Sequence, residues 1–162
     1  MKFSNIREII NAIKSKELSP REVTEYYLNR ISEHNHKFNA FITILEDEAL
    51  KRAKEAESEI LNGVYKGPLH GIPYAAKDII NTAGTRTTNG SALYKDFIPE
   101  HDAFCISKMN DAGAILLGKT NTHQYAAAST TINVHFGTTR NPHNPLKICL
   151  LYTSDAADER SW

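Results

Sequence analysis

The sequence predicts an α/β protein in which a layer of N-terminal helices precedes a parallel or mixed sheet. Three apolar stripes at helical spacing fill the chain as far as Gly63. Beyond that glycine, short apolar runs punctuated by Gly and Pro follow in the order strand, helix, strand. No internal repeat or low-complexity linker divides the two regions, so the helices are read as a layer of the same domain as the sheet.

Ile6, Ile9, Ile10 and Ile13 form the first stripe, behind a Ser4 whose hydroxyl suits the first turn of a helix. Ser19-Pro20-Arg21-Glu22 is a capping-box pattern with proline at the first helical position, and Val23, Tyr27 and Ile31 continue the second helix. A third helix is expected from about Glu46, with Leu50, Ala53, Ala56 and Ile60 inward and Gly63 as its terminator. The run from Gly67 to Ile80 reads as turn and then strand. Asp102 is expected to cap a helix carrying Phe104, Cys105 and Met109. The apolar run Ala114 to Gly118 then reads as a buried strand.

Composition removes several functions from consideration. The 19 basic residues balance the 19 acidic ones without a long run of either sign, which argues against direct nucleic-acid binding. The longest apolar runs fall far short of a bilayer span and the N-terminus does not read as a signal peptide, so no membrane role is expected and the default compartment is the cytoplasm. Cys105 and Cys149 form no CxxC pair and predict no disulfide framework, and Cys105 reads as a small buried apolar residue.

Lys77 is the residue with the clearest chemical potential. It lies in a strand-like run between Ala75, Ala76, Ile79 and Ile80, where an ammonium is poorly solvated and a neutral, basic amine is favoured. Period-two alternation turns Asp78 to the opposite face, so the pair need not neutralise each other. From these residues alone, a strand-end lysine that snorkels to solvent is the more ordinary reading.

A wider pattern bears on that choice. Leu69-His70-Gly71-Ile72-Pro73 precedes Lys77-Asp78. Gly84, Thr87-Thr88 and Gly90-Ser91 follow. Asp111-Ala112-Gly113-Ala114 then runs into Gly118-Lys119-Thr120-Asn121, and Phe136-Gly137-Thr138-Thr139-Arg140-Asn141-Pro142 closes the series. In order and spacing this resembles the amidase signature family over nearly all of residues 1–148. The resemblance implies a mixed-sheet amidase fold, a carboxamide as small-molecule substrate, and neither cofactor nor metal. It implies a triad of a lysine, a cis serine and a second serine, with Lys77 in the place of the lysine. A serine hydroxyl needs a base to become nucleophilic, and a lysine relayed through a bridging serine would supply one, giving an acyl-enzyme. A glycine-rich loop would stabilise the oxyanion.

By the same resemblance, Gln124 to Thr131 line the substrate pocket, with Ala126, Ala127, Ala128 and Ser129 as a wall of small side chains. Close packing of a short helix explains the alanines equally well. Thr120 and Asn121 would either order the active-site loop or cap the next turn, and capping is the simpler reading. His70, His101, His123, His135 and His143 match no metal-ligand spacing.

The pattern breaks after Pro145, where the family continues into a GGSSGG-like segment and this chain has no glycine. Ser154, flanked by Thr153 and Asp155, is therefore not read as catalytic. Cys149 to Glu159 resembles the translation of a transposon-end adapter. The expectation is thus an amidase domain truncated near residue 148, with 149–162 as a non-native tail and both catalytic serines absent. A free amidohydrolase is the first functional reading. The alternative is the amidase-like subunit of the aspartyl/glutamyl-tRNA amidotransferase, which passes glutamine-derived ammonia to a misacylated tRNA through partner subunits. Ile132 and His135, where that protein usually carries Glu and the end of an Asn-Ser-Ala triplet, favour the free amidase. A third reading is an inactive truncated product. The residues present do not specify which amide is the substrate.

Overall fold

The structure, a computed structural model, describes residues 5–148. Ser4, Cys149, Ser154 and the whole 149–162 segment lie outside the described residues. The cap of the first helix, α1 (Ile6–Lys14), is instead Asn5, whose Oδ1 accepts the Glu8 N–H at 3.1 Å. Ile9 and Ile13 carry its buried face.

Helix α2 (Pro20–Phe38) starts with the expected reciprocal cap. Ser19 Oγ accepts the Glu22 N–H at 3.1 Å, and the Glu22 carboxylate accepts the Ser19 N–H at 2.8 Å. It ends at Asn39, which adopts the left-handed conformation that asparagine tolerates at a helix terminus. Helix α3 (Glu46–Leu61) lacks a side-chain cap, but Glu46, Asp47 and Glu48 place negative charge against the positive end of its dipole. Its inward stripe is Ala49, Ala53, Ala56 and Ile60, with Leu50 half-buried, and Gly63 follows at φ +84°.

A short strand between α2 and α3, β1 (Phe41–Ile44), is an addition to the sequence-based expectation. Its Phe-Ile-Thr-Ile composition suits a strand. Asn35 fixes its first residue by donating to the Phe41 carbonyl and accepting the Phe41 N–H. The remaining strands are β2 (Pro73–Lys77) and β3 (Ile115–Thr120), and the order β1-β3-β2 makes β3 central. β3 runs parallel to β2 and antiparallel to β1, so the sheet is mixed. Leu28, Ala49 and Ala53 pack α2 and α3 onto Ile115 and Leu117 of β3. A second cluster of Ile9, Ile13, Val23, Ile60 and Ile72 joins α1 to the same layer.

Helix α4 (Phe104–Asp111) connects β2 to β3 but differs from expectation in two ways. Ala103, not Asp102, is its N-cap. The Asp102 carboxylate is taken by the Ala83 N–H at 2.7 Å and by Asn110 Nδ2 at 2.9 Å, which ties the loop after β2 to the end of α4. The buried residue of α4 is Ile106. Phe104 is 78% exposed and Cys105 is exposed too, so the buried position assigned to Cys105 is corrected.

Gly118 lets β1 lie close against β3. A Cβ there would sit 2.3 Å from the Thr43 carbonyl oxygen and 3.2 Å from Ile44 Cα. Neither is the end of a flexible side chain. Gly118→Ala is therefore expected to destabilise the protein by about 2 kcal/mol or more through forced separation of the strands. Urea unfolding of the two proteins checks this, and equal midpoints would refute the close approach.

Candidate active site at the strand ends

Parallel strands gather ligand sites beyond their carboxyl ends, where the following loops converge. In this chain the two parallel strands end at Lys77 and Thr120, which are paired in the register, as are Ala76 and Lys119. Side chains alternate along a strand, and partners in register share a face. Lys77 and Thr120 therefore point to one side of the sheet, and Ala76 and Lys119 to the other. Lys77 is half-buried rather than enclosed, since its neighbours Ala75 and Ile79 are exposed. Its side chain makes no hydrogen bond or ion pair with any described residue.

The enclosed lysine is Lys119, with 0% exposure. Its Nζ donates to the Ile80 carbonyl, to Thr82 Oγ1 at 2.8 Å and to Thr87 Oγ1 at 3.1 Å. Both threonine hydroxyls already donate elsewhere, Thr82 to the Ile80 carbonyl and Thr87 to the Thr85 carbonyl. Lys119 must supply a hydrogen to each of the three oxygens, which uses every donor of an ammonium. Burial nevertheless penalises that charge and pulls its pKa down to about 8, against the opposing pull of Asp78, Asp102 and Cys105. Asp78 is also fully buried. Thr88 binds one carboxylate oxygen through both its N–H and its hydroxyl, and the other oxygen has no partner among the described residues. Burial raises the Asp78 pKa, outweighing the Thr88 hydrogen bonds, Lys119 and Arg86. The adjacent Thr87 and Thr88 thus bring the two buried charges into one network. Arg86 secures the same loop to β1 by donating to the Ile42 carbonyl at 3.1 Å and to Thr43 Oγ1 at 2.9 Å.

The loops after β2 and β3 are stitched together by backbone bonds. Asn89 N–H donates to the Asp78 carbonyl at 2.9 Å, and Tyr125 N–H donates to the Asn89 carbonyl at 2.8 Å. This chain leads from Lys77-Asp78 to the segment read as a substrate wall. That segment forms one 3-10 turn, Gln124–Ala126, with Tyr125 and Ala126 at φ +55° and +52°. Ala126 and Ala128 are half-buried, while Ala127 and Ser129 are exposed. Buried Ser91 accepts hydrogen bonds from Gln124 Nε2 at 3.1 Å and from the Tyr125 hydroxyl at 3.0 Å, which anchors the turn from below. Asn121 does more than cap a turn. Its Nδ2 donates to the carbonyls of Asn39 and Gly137, and its Oδ1 accepts the Thr122 N–H, so it orders three segments around the site.

Sequence reasoning assigned Lys119 no role, although it belongs to the Gly118-Lys119-Thr120-Asn121 motif. The available signal was a lysine directly continuing the run Ile115-Leu116-Leu117-Gly118 into a strand buried on both faces.

A family model described as Amidase matches residues 22–149. The chain is 42% identical over 137 residues to a glutamyl-tRNA(Gln) amidotransferase subunit of Hahella chejuensis, covering 85% of this chain and 28% of the relative. It therefore spans under a third of the length of such curated relatives. Among solved structures, a bacterial aryl acylamidase is similar with a TM-score of 0.82 and 34% identity, over 88% of this chain and 30% of its own. Native peptide amidase from Stenotrophomonas maltophilia is similar with a TM-score of 0.81 and 33% identity, over the same shares.

The buried lysine makes stability depend on pH in a defined direction. Folded protein releases the Lys119 proton near pH 8, whereas the unfolded chain keeps it to about 10.5, so in between the unfolded state binds more protons. Stability relative to Lys119→Met is expected to rise by about 2 kcal/mol from pH 8 to 10. Tyr74 acts in the opposite sense at higher pH, because burial pushes its hydroxyl up to about 12. Urea unfolding of both proteins across this range checks the slope, and a pH-independent difference would contradict it.

Proposed function

The chain belongs to the amidase family, and we propose that it carries the lysine side of an amide-hydrolysing site whose serines are supplied by sequence beyond residue 148. Lys77 accepts a proton from the nucleophilic serine through the bridging serine. The serine oxygen bonds to the amide carbon, the C–N bond breaks, and the proton leaves with ammonia or the amine. Water then attacks the ester, releasing the carboxylic acid and restoring the serine. This scheme needs neither metal nor cofactor. Ala126, Ala127, Ala128 and Ser129 border the space for the substrate, a small carboxamide.

One observation carries the reading. Of the two lysines at the ends of the parallel strands, Lys119 has all its donors bound and is sealed on one face. Lys77 lies on the other face, half-buried, with no partner among the described residues. A lysine can take up a proton only as the neutral amine, so the lysine without a fixed role as a cation is the one free to serve as base.

A second reading has its own support, since curated relatives such as that of Hahella chejuensis are amidotransferase subunits. In that case the amide is glutamine, ammonia passes to a misacylated tRNA, and partner subunits are required. Against it stand Ile132, 47% exposed, and the neighbouring His135, in the loop where the amidotransferase protein usually has Glu and the end of Asn-Ser-Ala. In both readings the chemistry belongs to Lys77, the protein acts in the cytoplasm, and residues 149–162 contribute nothing. No helix among the described residues is long and apolar enough to cross a membrane.

The test joins residues 1–148 to the downstream coding sequence recovered from the source DNA and follows ammonia release from simple amides and from glutamine. Lys77→Ala is expected to lower kcat by about 10³-fold or more, and residues 1–162 alone are expected to give no turnover. Turnover by Lys77→Ala within tenfold of the parent protein, or Lys77-dependent turnover by residues 1–162, would overturn the proposal.

A further inference from the structure

Three loops meet at one buried side chain that the amidase reading leaves without a role. Asn133 is 4% exposed. Its Nδ2 donates to the Gly90 and Thr122 carbonyls, each at 2.8 Å, and its Oδ1 accepts the N–H groups of His135 at 2.8 Å and Phe136 at 2.9 Å. Both donors and both lone pairs of the amide are used. The partners also settle its orientation, because two carbonyls require the nitrogen and two N–H groups require the oxygen.

The joined loops are those that frame the site. Gly90 belongs to the loop after β2, Thr122 to the loop after β3, and His135 and Phe136 to a third loop. That third loop is held to the body of the fold by Asn39 Nδ2, bound to the Phe136 carbonyl at 2.8 Å, and by Asn121 Nδ2, bound to the Gly137 carbonyl at 2.9 Å. The first two loops contain Asn89, Tyr125 and Ala126, three non-glycine residues at positive φ. Such conformations persist only where their surroundings over-determine them. Gly90, at φ +65°, lies so close that a Cβ would be 2.8 Å from Asn133 Nδ2 and 3.1 Å from the His123 carbonyl oxygen.

We infer that Asn133 is a positioning residue that holds the loop following Lys77 at a set distance from the wall Ala126–Ser129, and so fixes the room between the lysine and a bound amide. The meaning of that room rests on the amidase reading, whereas the clamp does not. Asn133 touches neither Lys77 nor the wall alanines by any hydrogen bond and acts through Gly90 and Thr122.

Asn133→Asp separates clamp from fold. The carboxylate keeps both acceptor bonds within its own loop, loses both donor bonds, and sets negative charge against the Gly90 and Thr122 carbonyls. In the 162-residue chain at pH 7, amide hydrogen exchange at Asn89 and Tyr125 is expected to lose about tenfold or more in protection, while Ile115 in the sheet stays as in the parent protein. At about pH 4 the aspartate gains a proton and can donate one hydrogen bond, so part of that protection returns relative to the parent at the same pH. Asn133→Ala shows no such recovery. Unchanged protection at Asn89 and Tyr125, an equal loss at Ile115, or a loss indifferent to pH would each overturn the inference. Inactivity of the extended protein together with the expected exchange pattern would sink the amidase reading and leave the clamp standing.

Discussion

The register between β2 and β3 is the constraint on which the site depends. Lys77 opposite Thr120 and Ala76 opposite Lys119 place two lysines, adjacent across one parallel pair, on opposite faces of the sheet. A one-residue slip of β2 against β3 would turn Lys77 to the face that Lys119 occupies. Both lysines would then crowd the side on which Thr82 and Thr87 hold Lys119 Nζ, and the open side would lose its lysine. The register is held from both ends. At the start of the pair the Ile115 N–H donates to the Ile72 carbonyl, and at its end the Asp78 N–H donates to the Thr120 carbonyl.

Many residues of the family pattern act on that frame rather than on a substrate. His70 is buried, its Nδ1 accepts the Lys66 N–H, and its Nε2 therefore carries the hydrogen given to Glu59 at 2.8 Å. Burial lowers its pKa, which favours the neutral ring this arrangement requires. Gly113 makes room for it, since a Cβ there would lie 2.5 Å from His70 Cδ2, and the Gly113 carbonyl accepts the Gly71 N–H. The motif before β2 and the motif before β3 are thus two halves of one contact that starts the parallel pair in register. Thr87, Thr88, Lys119 and Asp78 form a corresponding contact at its far end. Burial of an ion pair or of lone charges is a poor source of net stability. What this network supplies is a fixed course for the loop leaving Lys77.

Local chemistry made the helices legible in the sequence. The Ser19–Glu22 box, the isoleucines of α1 and the alanines of α3 depend on neighbours three or four residues away, and those regularities survive without tertiary information. The apolar run of β3 was equally plain. Strand β1 was not, because four residues between two helices carry too little pattern, and its pairing depends on Gly118 far along the chain. Asp102 looked like a cap for α4 but is captured by Ala83 and Asn110, and Cys105 falls on the outer face of that helix because Ile106 takes the inner one. Resemblance alone points to Lys77 as the site lysine, and the burial expected of it from its apolar neighbours belongs to Lys119 instead. Neither Lys119 nor Asn133 was legible, since each is defined by oxygens and N–H groups from loops that only the folded chain brings together.

The division of labour between the two lysines is open to direct measurement. The native 162-residue chain is treated briefly with an amine-acylating reagent, and modification at each lysine is followed by mass spectrometry, with and without urea. Lys119, at 0% exposure, is expected to stay unmodified until the protein unfolds, while Lys77 is modified in the folded state. Modification of Lys119 in the folded protein at the rate of Lys77 would contradict the opposed faces and with them the case for Lys77 as the base.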